Sequence, residues 1–164
     1  MRIGHGYDAH RFCPGKPLRI GGVTIPSDRG LEAHSDGDVL LHALIDALLG
    51  AAGEADIGAL FPDNDPSYRE IDSRSLLREA MKRLAAKGLE IEYADMTIIA
   101  QIPKMAPHIE AMRHEIAACT DTPVERINVK ATTEEHMGFT GRQEGIRAHA
   151  VCLLRDIKEA LIKG

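Results

Sequence analysis

The sequence predicts a mixed α/β or α+β fold, with a single four-stranded mixed sheet and helices packed on one face. Apolar residues recur at helical spacing in 38–50, 72–87 and 107–119, and strand-like segments lie between and around them. The 44% apolar content supports a packed core. A length of 164 residues favours one domain over 1–164.

The individual elements follow from these periodicities and from the turn residues that separate them. The predicted strands are 1–10, a hairpin at 18–25 turning at Gly21 and Gly22, 89–101, 126–132 and 146–154. The predicted helices are 38–50, 72–87 (capped by Asp72 or Ser73 and stopped by Gly88) and 107–119. Residues 54–70 are rich in Asp, Pro, Gly and Asn and predict a loop.

The helix at 38–50 has the clearest pattern. Ser35 and Asp38 lie three residues apart before it, which resembles a capping box. Gly50 and Gly53 provide the predicted stop.

The last predicted strand has two partly apolar faces. One face carries Ile146, Ala148, Ala150, Cys152 and Leu154. The other carries Arg147, His149, Val151 and Leu153. A strand of this kind is covered on both sides or pairs with another subunit.

Composition excludes several classes of function. The net charge of −5 and the absence of Trp argue against a nucleic-acid partner. The chain shows no signal-peptide pattern and no apolar run of about 18 residues, so no membrane association is expected. Its three cysteines form no C-x-x-C pair and indicate a reducing, cytoplasmic environment.

Four of the eight histidines lie within the first 42 residues, which points to a metal site. Asp8 and His10 are two apart on a strand and face one side, and His42 on the first helix is a candidate third ligand. Two histidines and one carboxylate leave a tetrahedral zinc with an open position. Asp38 or Asp46, each four residues from His42, could accept its second ring N–H or contact substrate.

Further segments have the chemistry of phosphate and sugar binding. Residues 34–38 run into a helix start, where free N–H groups favour an anion. The acidic segments 56–58 and 61–65 could accept hydrogen bonds from sugar hydroxyls or hold magnesium. Hydroxyls and carboxylates in 130–135 suit a phosphate with its cation, and the Arg in 138–142 suits a second anion.

Taken together and in order, these motifs resemble the 2-C-methyl-D-erythritol 2,4-cyclodiphosphate synthases of the non-mevalonate isoprenoid pathway. The resemblance covers nearly the whole chain. The segments that carry it are Asp8-Ala9-His10, His34-Ser35-Asp36-Gly37-Asp38, His42, Asp56-Ile57-Gly58, Phe61-Pro62-Asp63, Pro103-Lys104-Met105, Lys130-Ala131-Thr132-Thr133 and Gly138-Phe139-Thr140-Gly141-Arg142.

The resemblance implies a role for each matching residue. A zinc-type ion is held by Asp8, His10 and His42, and a second cation, magnesium or manganese, by Glu135. His34 and Thr133 are the implied catalytic residues, which steady the transition state. The implied substrate contacts are Asp8, Ala9, His10, His34, Ser35, Asp46, Asp56, Ile57, Gly58, Phe61, Pro62, Asp63, Asn64, Asp65, Ala100, Gln101, Ile102, Pro103, Lys104, Met105, Ala106, Thr132, Thr133, Glu134, Glu135, Phe139 and Arg142.

The resemblance also implies an activity and an assembly. The substrate is 4-diphosphocytidyl-2-C-methyl-D-erythritol 2-phosphate, which cyclises with release of CMP beside a mobile lid at 63–68. The family is a homotrimer with sites between subunits and sheets facing a central cavity. That cavity can hold an isoprenoid diphosphate, with Phe139 and Arg142 at its mouth and His149 where the family often has an acidic residue.

Two other functions fit the same residues. A metal-dependent phosphodiesterase or phosphatase would use the same ligands to activate water and would give a linear product. A trimeric isoprenoid-diphosphate sensor would bind the lipid diphosphate tightly without releasing CMP.

Overall fold

A computed structural model describes residues 1–62 and 70–157. Its strands are β1 (Arg2–Pro14), β2 (Leu18–Ile20), β3 (Val23–Ile25), β4 (Arg29–Leu31), β5 (Leu89–Ile99), β6 (Ile127–Thr132) and β7 (Gly145–Asp156). Its helices are α1 (Val39–Ala52), α2 (Ile57–Leu60), α3 (Ser73–Ala86), α4 (Ile109–Thr120) and α5 (Gly138–Gly141).

Five strands form one mixed sheet in the order β4-β1-β7-β5-β6, and β2 and β3 form a separate hairpin. Only β5 and β6 run parallel within the large sheet. The prediction of a four-stranded sheet was therefore wrong by one strand. The fifth strand, β4, has three residues, which is too short to show an alternating pattern in the sequence.

The central strand β7 has one buried face and one face open to solvent. The residues predicted to share one face, Ile146, Ala148, Ala150, Cys152 and Leu154, form the buried face, since each is at most 1% exposed. Helix α1 packs against β1, β5 and β7, α3 against β5, and α4 against β6. The opposite face leaves four large apolar side chains exposed, Ile3, Tyr7, Tyr93 and Val151.

Helix α1 begins and ends differently from the predicted boundaries. Asp38 is itself the N-cap, and its carboxylate accepts a hydrogen bond from the Leu41 N–H, so the proposed Ser35–Asp38 capping box was wrong. The helix passes through Gly50 and ends at Gly53, which has the left-handed φ of 72° that favours glycine. The predicted N-cap of α3 is confirmed at Asp72.

Two short helices were not predicted from the sequence. Helix α2 lies within the segment 54–70 that was expected to be a loop, and α5 follows β6. Each has four residues, so neither spans enough turns to show helical periodicity. Within residues 1–62 and 70–157, no helix is both long and apolar enough to cross a membrane.

Candidate active site and metal centre

Two glycines of β1 let α1 lie directly against the sheet. A Cβ atom at Gly6 would lie 1.9 Å from the Ala43 carbonyl oxygen, and one at Gly4 would lie 1.9 Å from the Ala47 oxygen. No side chain fits at either position, so the backbones of β1 and α1 approach closely. This approach places His42, the neighbour of Ala43, beside the next residues of β1 on the same face.

Those next residues are Asp8 and His10, and the three side chains converge. Oδ2 of Asp8 lies 2.8 Å from Nε2 of His10 and 2.9 Å from Nδ1 of His42. The two histidine nitrogens are 3.2 Å apart. All three donor atoms lie within 4.8 Å of one another, so the group could hold one divalent metal ion.

The second ring nitrogen of each histidine has its own partner. Nδ1 of His10 lies 2.9 Å from the Glu32 carbonyl oxygen, which can only accept, so this nitrogen is protonated and Nε2 is left for a metal. Nε2 of His42 lies 2.9 Å from the Ser73 hydroxyl and 3.2 Å from the Ser35 hydroxyl. Sequence reasoning proposed Asp38 or Asp46 for this position, and that assignment was wrong.

Asp38 and Asp46 bind backbone N–H groups instead. The buried carboxylate of Asp38 accepts from Gly21 at 2.8 Å and from Gly22 at 2.7 Å, tying the β2–β3 turn to the start of α1. Asp46 accepts from the Ile57 N–H at 2.8 Å and so fixes the start of α2 beside α1.

Electrostatics favour a charged pair at Asp8 and His42. Burial would raise the pKa of Asp8, but hydrogen bonds from His10 and His42 hold it far below its usual range. Burial would lower the pKa of His42, but the hydrogen bond and charge of Asp8, with the charges of Asp38 and Asp36, raise it. A metal bound here would replace the His42 proton as the positive partner of Asp8.

The triad lies in the wall of a cavity of about 300 Å³. Nine of the predicted site residues line this cavity: Asp8, His10, His34, Ser35, His42, Asp46, Ile57, Gly58 and Phe61. Its apolar wall includes Ala33, Ile71 and Leu76, which sequence reasoning missed because isolated apolar residues carry no functional signal.

Nε2 of His34 is shielded from solvent and has no hydrogen-bond partner among the residues that the structure describes. Burial raises the pKa of Asp46 at the same cavity.

A second group of predicted residues lies away from the cavity wall. Ile99 pairs with Thr132 and with Arg147, and His10 pairs with Ile146, so these strand ends share one end of the sheet. The residues that follow β5 and β6 therefore lie at the same end as the triad, with β7 between. The predicted contacts in this group are Ala100, Gln101, Ile102, Pro103, Lys104, Met105, Ala106, Thr132, Thr133, Glu134, Glu135, Phe139 and Arg142.

Within this second group, the turn after β6 is held in an unusual backbone conformation. Glu135 has a φ of 50° and His136 a φ of 66°, both left-handed. The Thr133 hydroxyl donates to the Glu135 carboxylate at 2.6 Å. The Glu134 carboxylate is already bound by Thr140 and Arg147, so its side chain supports the turn.

The remaining predicted substrate contacts lie in three other parts of the chain. Ala9 lies between the two β1 ligands, and Asp56 caps α2 by accepting from the Ala59 N–H at 2.8 Å. Pro62 is half-buried after α2. Asp63, Asn64 and Asp65, with the predicted lid at 63–68, lie outside the described residues.

The fold and the site together define a class of protein: an α+β domain whose two-histidine, one-carboxylate group opens into a cavity with both polar and apolar walls. The model of the YgbB family matches residues 1–155, and the chain belongs to that family.

Relatives agree with this assignment. The chain is 61% identical over 154 residues to the 2-C-methyl-D-erythritol 2,4-cyclodiphosphate synthase of Pseudomonas entomophila, covering 94% of this chain and 98% of the relative. A solved 2C-methyl-D-erythritol-2,4-cyclodiphosphate synthase with CDP bound is 42% identical, with a TM-score of 0.86 over 94% of this chain and all of that one. The bifunctional IspDF of Campylobacter jejuni is 43% identical with a TM-score of 0.91. That match covers 96% of this chain, which spans only 43% of the bifunctional protein.

Proposed function

We propose that this protein cyclises 4-diphosphocytidyl-2-C-methyl-D-erythritol 2-phosphate to 2-C-methyl-D-erythritol 2,4-cyclodiphosphate and releases CMP. The observation that carries the proposal is the convergence of Asp8, His10 and His42 at one cavity, in a chain 61% identical to a 2-C-methyl-D-erythritol 2,4-cyclodiphosphate synthase. The protein is thus a phosphorus–oxygen lyase of non-mevalonate isoprenoid biosynthesis. We place it in the cytoplasm, with residues 1–164 as one domain.

The reaction needs no nucleophile from the protein. An oxygen of the substrate 2-phosphate forms a bond to the β-phosphorus, and the bond from that phosphorus to the CMP oxygen breaks. The chain must hold two anions in line, and such positioning can supply about 7–11 kcal/mol. His34 and Ser35 line the cavity and would bind a phosphate, while Asp46, Asp56 and Gly58 would bind the sugar hydroxyls.

Two cations complete the proposed site. The donor set of Asp8, His10 and His42 suits zinc, which when bound polarises a phosphate oxygen as a Lewis acid. Glu135, exposed beside Thr133, would hold a magnesium or manganese ion that arrives with the substrate. Thr133 and His34 would then stabilise the charge that develops in the transition state.

We further propose a homotrimer with its sites between subunits. The residues after β5 and β6 do not line the cavity of their own chain, so a neighbouring copy would bring its second group to the triad. That second group would supply the cytosine pocket at 100–106. The open sheet face with Ile3, Tyr7, Tyr93 and Val151 would be covered in the trimer. The enclosed cavity would accept an isoprenoid diphosphate near Phe139 and Arg142.

The activity is tested by incubating the purified protein with the named substrate, zinc and magnesium, and following the products by phosphorus NMR. We expect a cyclic diphosphate and one CMP for each substrate consumed, and no turnover by His42→Ala. A linear phosphate product would instead identify a phosphodiesterase or phosphatase. Tight binding of an isoprenoid diphosphate without CMP release would identify a sensor.

The assembly is tested by sedimentation of the wild type and of Val151→Asp, which places a charge on the open apolar face. We expect a trimer for the wild type and smaller species for the variant. The control is Glu125→Asp, a substitution at an exposed position that leaves the charge unchanged. A monomeric and fully active wild type would contradict the proposed assembly.

A further inference from the structure

A chain of hydrogen bonds runs from His42 away from the cavity into the start of α3. Nε2 of His42 lies 2.9 Å from the Ser73 hydroxyl oxygen, which lies 2.5 Å from Oδ1 of Asp36. Ser73 is fully buried and His42 is only 8% exposed. The contacts are therefore shielded from competing water.

The direction of each hydrogen bond follows from the donors available. The hydroxyl of Ser73 has a single hydrogen, which it donates to Oδ1 of Asp36. The hydroxyl oxygen then accepts from the Nε2–H of His42. With Nε2 protonated, the lone pair of a neutral His42 lies on Nδ1, the atom that faces Asp8 and His10.

Asp36 is itself held in place. Its carboxylate also accepts from the backbone N–H of Ser73 at 3.1 Å and from that of Asp38 at 3.2 Å. The segment before α1 and the start of α3 are thereby joined behind the His42 ring. A carboxylate, a hydroxyl and an imidazole lie in sequence, with the open imidazole nitrogen directed at the other two ligands.

We propose that Ser73, oriented by Asp36, is a positioning residue of the metal centre. It selects the His42 tautomer that binds through Nδ1 and fixes the plane of the ring. The inference rests on the metal centre proposed above. The Ser35 hydroxyl also faces this nitrogen but lies farther from it, at 3.2 Å against 2.9 Å for Ser73.

The test measures zinc affinity of the full-length protein by competition with a chromophoric chelator. Ser73→Ala should bind zinc about 10–100-fold more weakly, the effect typical of losing a group that orients a metal ligand. Ser73→Thr restores a hydroxyl and should recover most of the affinity. The matched control is Thr120→Ala, which removes a hydroxyl that is only 3% exposed and donates to Ile116 within α4. It should leave zinc affinity unchanged.

A folded Ser73→Ala protein with wild-type zinc affinity would overturn the proposal. If Ser73→Ala does not fold, nitrogen-15 NMR of the zinc-loaded wild type decides instead. It should show His42 protonated at Nε2 and bound to metal through Nδ1, whereas metal on Nε2 would overturn the proposal. A wrong assignment of the metal centre would give a different result. In that case His42→Ala would bind zinc as tightly as the wild type.

Discussion

Nδ1 of His42 lies 2.9 Å from Oδ2 of Asp8, although the two residues are 34 positions apart in the chain. The contact joins the first turn of α1 to the middle of β1. It exists because β1 has glycines on the face where α1 crosses it, and Asp8 and His10 follow on that same face beyond the crossing. The packing of one helix on one strand thus assembles the three candidate ligands.

Replacing His42 tests the role of this contact in metal binding. His42→Ala should lose zinc and nearly all turnover, since Asp8 and His10 alone leave an incomplete site. The chain should stay folded, with a loss of about 1–3 kcal/mol in the free energy of unfolding. Zinc content by mass spectrometry and thermal melting by circular dichroism would check both points. A variant that keeps its zinc and its rate would contradict the assignment.

The raised pKa of His42 makes zinc binding depend on pH. In the metal-free protein, Asp8 favours the protonated imidazole, so zinc must displace a proton. Zinc affinity should therefore rise about tenfold per pH unit below the raised pKa and level off above it. Chelator competition between about pH 6 and about pH 8 would measure the slope. A flat profile would show that no ligand proton is released.

The same pKa shift affects the stability of the metal-free fold. A histidine whose pKa is raised on folding stabilises the native state fully below its unfolded pKa of 6.5. That contribution is lost as the pH rises through the folded value. Melting in the presence of a chelator should show this loss, and zinc should remove it.

The close approach of β1 and α1 predicts unequal effects of the same substitution at two glycines. Gly6→Ala would put a Cβ atom 1.9 Å from the Ala43 oxygen, so α1 must move away and zinc affinity should fall sharply. The free energy of unfolding should drop by about 3 kcal/mol or more. Gly50→Ala is the matched control, since nothing lies within 4 Å of its Cβ position.

For Gly50→Ala in α1, a gain of about 0.5–1 kcal/mol is expected, because alanine favours helix more than glycine does. Denaturant unfolding and zinc titration of both variants would distinguish the two sites. Equal behaviour of the two variants would mean that the glycine crossing does not set the position of His42.

Asp46 and Asp56 should matter more for activity than for folding. Asp46 lines the cavity and binds one N–H group, and Asp56 caps a four-residue helix, so neither supports much of the core. Asp46→Ala or Asp56→Ala should lower the rate at least tenfold while destabilising the fold by only about 1 kcal/mol. Steady-state kinetics and melting temperatures of each variant would be compared.

Asp38→Ala provides the contrasting control for that comparison. It removes the acceptor for three N–H groups at a fully buried position, those of Gly21, Gly22 and Leu41. The expected loss is about 3 kcal/mol or more of stability. Parallel losses of stability and activity in the Asp46 and Asp56 variants would assign those residues a structural role as well.

The sequence allowed the candidate metal ligands Asp8, His10 and His42 and the main helices to be predicted, because their placement depends on local periodicity. Alternation places Asp8 and His10 on one face, and helical spacing places His42 on a defined stripe of α1. The partner of His42 could not be predicted in this way. Spacing alone favoured Asp38 and Asp46, whereas Ser73 follows 31 residues later on a different helix and its sequence position indicates only a helix start.

The short elements were missed for a related reason. Strand β4 and helix α2 have three and four residues, and their positions depend on pairing with β1 and on the Asp46 hydrogen bond to Ile57. Such long-range contacts leave no pattern in the local sequence. Gly4 and Gly6 could have indicated that another backbone segment lies close to β1, but the sequence does not show which helix it is.

The central claim is that Asp8, His10 and His42 form the metal centre of this site, and zinc-edge anomalous diffraction tests it most directly. Crystals grown with zinc and soaked with CMP should give one strong anomalous peak within about 2.0–2.2 Å of Nε2 of His10, Nδ1 of His42 and a carboxylate oxygen of Asp8. An ordered CMP with no anomalous peak at these three residues, or with the peak elsewhere, would contradict the account.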